Sequence, residues 1–129
     1  ELIKPNEVKS YSSVEALIRD EKIAILFPTW LPNNNRIAEI EYIDGIGGKA
    51  YNLYSSDPEC SITIYLEIMI PEEAKASTPT KKIGNHTVYI IMRDSYVQGE
   101  LEYNGYHYSV SANSEEDLIK IIENLKEIK

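Results

Sequence analysis

Val97-Gln98-Gly99-Glu100-Leu101-Glu102-Tyr103-Asn104-Gly105-Tyr106-His107-Tyr108-Ser109-Val110-Ser111-Ala112 is the stretch that decides the fold. Two runs with a period of two flank Asn104-Gly105. Both central residues of a tight hairpin turn need positive φ, and Asn-Gly meets that need at least strain. Val97 to Tyr103 and Tyr106 to Ala112 are therefore expected as antiparallel partners. Tyr106, Tyr108, Val110 and Ala112 face one way, and His107, Ser109 and Ser111 the other. A sheet with one apolar and one polar face follows.

Towards the C-terminus, Ser114 caps a helix whose first turn holds Glu115, Glu116 and Asp117, where negative charge suits the helix dipole. Leu118, Ile121, Ile122, Leu125 and Ile128 recur at helical spacing, so the helix is expected to run through them to Lys126 and Lys129. Upstream, Gly84-Asn85 separates Lys81 to Ile83 from Thr87 to Met92, where Val88, Ile90 and Met92 share a face. Pro71 to Pro79 is polar and reads as the most mobile loop. Ser61 to Ile70 is a long strand pattern. Ile62, Ile64, Leu66, Ile68 and Ile70 line one face, opposite Ser61, Thr63, Tyr65 and Glu67. Ile37 to Ile43 and Lys49 to Tyr54 flank the glycine-rich loop Asp44-Gly45-Ile46-Gly47-Gly48.

Nearer the N-terminus, Ser12 and Ser13 can cap a helix over Val14 to Asp20. Residues 1–12 read as a linker, and 13–129 as a single α+β domain, an ordinary size for one core. The segregated order predicts an antiparallel sheet of about six to seven strands, with the N-terminal and C-terminal helices on one face. Phe27-Pro28-Thr29-Trp30-Leu31-Pro32 holds the only Trp and the only Phe of the chain. Each Pro fixes its own φ and pushes the preceding residue towards extended geometry. Phe27, Pro28, Trp30 and Pro32 thus form a rigid corner, expected to lock the first helix onto the sheet. Asn33-Asn34-Asn35 is a turn signal, because Asn tolerates left-handed backbone.

Charge narrows the partners. Thirteen basic against twenty-one acidic residues leave −8. Nucleic-acid affinity comes mainly from cations neutralising phosphates, and anionic lipid surfaces also select cations, so neither is expected as a ligand. Cys60 is the single cysteine, so no disulfide forms within the chain. No run of about 18 apolar residues is present that would read as a membrane span. The chain begins at Glu1 rather than Met, which fits the removal of an N-terminal leader or anchor.

No catalytic constellation stands out. Acidic neighbours Asp57 and Glu59 raise a thiol's pKa, so Cys60 reads as a small hydrophobe or surface residue, not a nucleophile. A metal site would need His86 and His107 on the same face of paired strands, which makes no metal or other cofactor the expectation. Glu39 with Glu41, and Glu100 with Glu102, share strand faces. Polar strand faces ordinarily carry such charge, and nothing singles out an acid–base pair. Tyrosines are the remaining signal. Tyr51, Tyr54, Tyr65, Tyr89, Tyr103, Tyr106 and Tyr108 all lie on predicted strands, as core and cross-strand pairs if buried and as a binding platform if exposed. Tyr65 is the best platform candidate, lying opposite its strand's Ile row. Tyr54 and His107 are the other candidate binding residues.

Several motifs together carry a resemblance. They are Phe27-Pro28-x-Trp30-Leu31-Pro32, Lys82-Ile83-Gly84-Asn85-x-x-Val88-Tyr89, Asn104-Gly105-Tyr106-x-Tyr108-x-Val110 and Ser114-Glu115-Glu116-Asp117-Leu118. Spread over Val14 to Leu125, they resemble an uncharacterised bacterial domain family of low-GC Gram-positive bacteria. Its members form the extracytoplasmic C-terminal part of membrane-anchored proteins, some behind anti-sigma-factor-like regions and others as lipoproteins. Asn33-Asn34-Asn35 departs from the acidic residue and Gly expected after the second Pro. The resemblance implies an outward-facing, non-enzymatic domain at the cell surface, tethered through an N-terminal anchor. Such a domain would sense a cell-envelope condition or bind a protein or peptide. The alternatives are a small-molecule or lipid pocket between sheet and helices, and a hydrolase with two converging carboxylates.

Overall fold

A computed structural model describes residues 7–45, 48–56 and 60–128. Its strands are β1 (Glu7–Tyr11), β2 (Ile25–Pro28), β3 (Ile37–Gly45), β4 (Gly48–Ser55), β5 (Ser61–Tyr65), β6 (Thr80–Ile83), β7 (His86–Met92), β8 (Val97–Tyr103), β9 (Tyr106–Ala112) and β10 (Leu125–Ile128). The helices are α1 (Val14–Glu21), α2 (Glu72–Ser77) and α3 (Glu115–Glu123). The main sheet has eight strands in the order β1-β3-β4-β5-β9-β8-β7-β6, all neighbours antiparallel. This is the α+β arrangement expected, with more strands than six to seven and with a third helix.

The β8–β9 hairpin has the bounds that alternation set. Tyr103 pairs with Tyr106 around Asn104 (φ 54°) and Gly105 (φ 84°), both left-handed as the turn requires. Tyr108, Val110 and Leu101 point to the apolar face and have no exposed surface. Two helices cover that face. In α1, the Ser13 hydroxyl accepts from the Ala16 amide (3.1 Å) and Leu17 is fully buried. In α3, Ser114 caps the Asp117 amide (3.2 Å) and Leu118 and Ile121 are fully buried. A Cβ on Gly99 would lie 3.0 Å from Val88 and 3.2 Å from Leu118, so the missing side chain is what lets α3 sit this close to β8.

Four expectations need correction. Glu7 to Tyr11, taken as linker, is an edge strand paired with β3 from Glu7↔Asp44 to Tyr11↔Ile40. Its Tyr11 belongs to the core, and the phenol hydroxyl donates to Asp20 (2.5 Å) and to Glu21 at the end of α1. Residues 1–6 of the expected linker lie outside the described residues. The strand expected to reach Ile70 stops at Tyr65, where pairing with β9 ends at His107 and only the Leu66 amide still bonds β4, at the Lys49 carbonyl. The expected loop Pro71 to Pro79 contains α2, with Glu72 and Glu73 in its first turn, where negative charge suits the dipole.

The C-terminal helix stops at Glu123, and Leu125 and Ile128 belong to β10 instead. Asn124 makes the stop. Its side chain donates to the Lys120 carbonyl (2.8 Å), while its own carbonyl accepts from the Thr29 amide (2.9 Å) and hydroxyl (2.7 Å). β10 then pairs antiparallel with β2 as a separate two-stranded sheet, Pro28 opposite Leu125. The proline corner joins β2 to β10 and α3, and its Phe27 also lines a small cavity with Val14 at the start of α1 and Ile37 and Ile40 of β3. Pro28 and Pro32 are buried, Phe27 and Trp30 are half-buried, and the Lys120 ammonium lies 4.5 Å from the Trp30 ring centroid. Asn33 (φ 58°) and Asn34 (φ 59°) take the left-handed turn after Pro32, as their residue type allows.

Candidate functional site

The polar face of the sheet can be followed across all eight strands. Ser10, Glu41, Asn52, Thr63, Ser109, Glu100, Tyr89 and Thr80 are successive register partners from edge to edge. Side chains on adjacent strands of one face lie about 4.5–5.5 Å apart at Cβ, close enough to bond. Thr63 donates to Asn52 (3.0 Å), and the Ser61 and Ser111 hydroxyls are 2.7 Å apart.

Glu100 is the centre of this face and is only 8% exposed. Its Oε1 accepts from His107 Nε2 (2.5 Å), and its Oε2 from Ser109 Oγ and Gln98 Nε2 (both 2.6 Å). His107 is equally buried, and its Nδ1 lies 3.1 Å from the Ile68 carbonyl. A carbonyl can only accept, so Nδ1 carries a proton, and Nε2 carries one towards the carboxylate. The ring is an imidazolium paired with a carboxylate. Burial alone would lower the His107 pKa, but the Glu100 bond and charge outweigh it and hold it above the usual imidazole value. Burial would likewise raise Glu100, but its three donors bring it below the usual carboxylate range.

The pair is buried because the β5–β6 connection crosses over it. β5 lies in mid-sheet and β6 at the far edge, so residues 66–79 must pass over one face. They pass over the polar one. Ile68 bonds His107 through its carbonyl, and the Ile70 amide donates to Glu102 (3.0 Å). Lys75 of α2 donates to the other Glu102 oxygen (2.8 Å). That bond, above all, lowers the Glu102 pKa.

Beside this strap the face opens into a cleft of about 500 Å³. Ser61, Tyr96, Gln98, Ser109, Ser111 and Asn113 line it, with the buried Cys60 among them. Gln98 and Ser109 are shared between the cleft and Glu100. Among the described residues the lining carries no ionised side chain.

The structure places the three candidate binding residues on this polar face. Tyr65 stacks on His107 with centroids 5.0 Å apart. Tyr54 is 43% exposed, and its hydroxyl donates to Glu41 (2.9 Å). His107 itself is buried in the ion pair. Tyr51 and Tyr108 are core residues. His86 stacks edge-on against Tyr103 (5.7 Å) on the helix-covered face, so the two histidines lie on opposite sides of the sheet and share no site. Among the described residues no group of three or more His, Cys, Asp or Glu is placed to hold a metal ion.

Sequence reasoning missed Glu100, Gln98, Tyr96, Asn113 and the serine row as a site. Alternation put Ser61, Ser109 and Ser111 on the polar face. It held no signal that β5 lies beside β9, which is what brings Ser61 to Ser111.

No family model, curated protein or solved structure matched the chain when it was compared with all three.

Proposed function

We propose that this chain is a non-catalytic binding domain that holds its ligand in the cleft on the polar sheet face. The observation that carries this reading is that the cleft backs onto an ion pair whose groups already bond one another and their neighbours. Both nitrogens of His107 face acceptors, and Glu100 accepts from three donors. His107 has no free nitrogen to take a substrate proton, and Glu100, which Ser109 also bonds, is a carboxylate of lowered pKa, a weak base. Such a network fixes side chains in place, which suits recognition. The resemblance of the motifs supports display outside the cytoplasm on a membrane-anchored protein, where a cell-envelope component would be bound or sensed.

An apolar ligand between sheet and helices has less support. Leu17, Leu101, Tyr108 and Leu118 have no exposed surface and belong to one packed cluster.

A ¹H–¹⁵N NMR screen of envelope-type peptides and glycans tests the proposal. Saturable shifts confined to Ser61, Gln98, Ser109 and Ser111 are expected. A reproducible turnover abolished by Glu100→Gln would overturn it, as would shifts located only on the helix-covered face.

A further inference from the structure

We propose that the ligand of this cleft is an uncharged carbohydrate chain, laid across β4, β5, β9 and β8 between Tyr54 and Tyr96. This rests on the reading that the cleft is a binding site.

Charge is the first argument. Ser61, Gln98, Ser109, Ser111 and Asn113 present hydroxyls and amides only. An ionised ligand would lose water there and meet no opposite charge among the described residues, because Glu100 lies behind Ser109 and Gln98 and is already paired with His107. A sugar hydroxyl both donates and accepts, as a serine hydroxyl does. The capacity for that exchange is present. Ser61 and Ser111 share one hydrogen bond between two hydroxyls, leaving lone pairs on both. Gln98 uses its amide nitrogen on Glu100 and Ser109, and among the described residues its carbonyl oxygen has no partner.

The flanking rings are the second argument. Tyr54 and Tyr96 are 43% and 40% exposed, two of the few large apolar side chains left in solvent. The Glu41 bond holds the Tyr54 hydroxyl and so orients the ring. Tyr54, Ser61, Ser111 and Gln98 are successive register partners. At about 4.8 Å per strand, Tyr54 and Gln98 stand about 14 Å apart, the scale of a short oligosaccharide. Tyr96 stands two residues before Gln98 and lines the same cleft. An aromatic ring offers a flat apolar surface to the C–H face of a sugar, while the hydroxyl row takes its polar edge.

A peptide fits less well. Peptides that bind sheets add to an edge through a backbone ladder. This cleft lies in mid-sheet over β5, β9 and β8, each paired on both sides. No strand edge is open there for a peptide to extend.

The test is an NMR titration of the whole chain with cellohexaose, with chitohexaose and with a neutral Gly-Ser hexapeptide. At least one hexaose should move the amides of Ser61, Gln98, Ser109 and Ser111 saturably, and more tightly than its dimer does. Tyr96→Ala should weaken binding about tenfold, the loss usual for one stacked ring. Tyr54→Ala should weaken it as well. Both side chains are exposed, so an unchanged spectrum elsewhere will show that the variants fold. If the peptide moves these amides and neither sugar does, the carbohydrate proposal falls while the binding cleft stands. If none of the three moves them, both fall. Equal sugar affinity in wild type and Tyr96→Ala would also overturn the proposal.

Discussion

His107 meets Glu100 diagonally across the β8–β9 ladder, nitrogen to oxygen at 2.5 Å, with each residue 8% exposed. The pairing carries a signed pH dependence. The folded His107 pKa is raised above its ordinary 6.5. Its contribution is therefore complete below about 6.5 and lost as pH rises through the folded value. The folded Glu100 pKa is lowered from its ordinary 4.5. Its contribution is complete above about 4.5 and lost as pH falls through the folded value. Both are complete only between those limits. Urea denaturation of His107→Gln at pH 6 should show a loss of about 3–5 kcal/mol, because the Glu100 charge is left buried and unpaired. The loss should shrink as pH rises through the folded His107 pKa, where the wild-type ring gives up its proton. A loss that stays the same across the whole alkaline range would mean that the ring's charge contributes nothing.

The same two strands hold the strap. Glu102 accepts from the Ile70 amide and from Lys75. In Glu102→Gln, amide exchange should quicken over residues 68–75 while the β8 and β9 amides keep their protection. Local opening without global unfolding is the behaviour expected of a segment tied by few bonds. Unchanged exchange in the strap would show that Ile70 burial alone holds it.

Tyr108 reaches through the core so that its hydroxyl accepts from the Leu26 amide of β2 (2.9 Å). Burial, opposed by that amide, pushes its pKa up to about 12. Tyr108→Phe leaves a buried N–H without a partner and should cost about 1–3 kcal/mol. Exchange at Leu26 should rise more than at its neighbours.

Gly99 is a packing glycine. A Cβ there meets Val88 at 3.0 Å, Leu118 at 3.2 Å and Ile122 at 3.3 Å. Gly99→Ala should cost about 1–3 kcal/mol by overpacking, and Gly99→Val more. The urea midpoint should fall with an unchanged slope.

Trp30 is half-buried, packed on the core and under Lys120. Trp30→Ala should cost about 2 kcal/mol, less than removing a fully buried ring. A double-mutant cycle with Lys120→Ala should return a coupling of about 0.5–1 kcal/mol.

Several local features were legible. Asn104-Gly105 and Gly84-Asn85 set their hairpins, Ser13 and Ser114 set the helix starts, and alternation divided β9 into an apolar row and the His107-Ser109-Ser111 row. Each depends on residues within a turn or two of one another, where backbone sterics and capping bonds act. The helix stop at Asn124 was not legible, because Leu125 and Ile128 keep helical spacing, while Thr29, 95 residues away, takes the Asn124 carbonyl. The end of β5 was not legible either, since Leu66, Ile68 and Ile70 continue the alternation while the pairing with β9 ends at His107.

The site falls wholly on the second side of that division. Alternation put Glu100 on a polar face, where solvent is the ordinary surrounding of a carboxylate. Tertiary structure decided otherwise, by setting β5 beside β9 and so carrying residues 66–79 over that face. Only then does the Ile68 carbonyl, 39 residues distant, reach His107, and Ser61 reach Ser111, 50 residues distant. Sequence by itself determined which residues share a face, because pleat and turn are properties of neighbouring peptide units. Which faces meet, and which carboxylate loses its water, depended on strand order, which is set by burial summed over the whole chain.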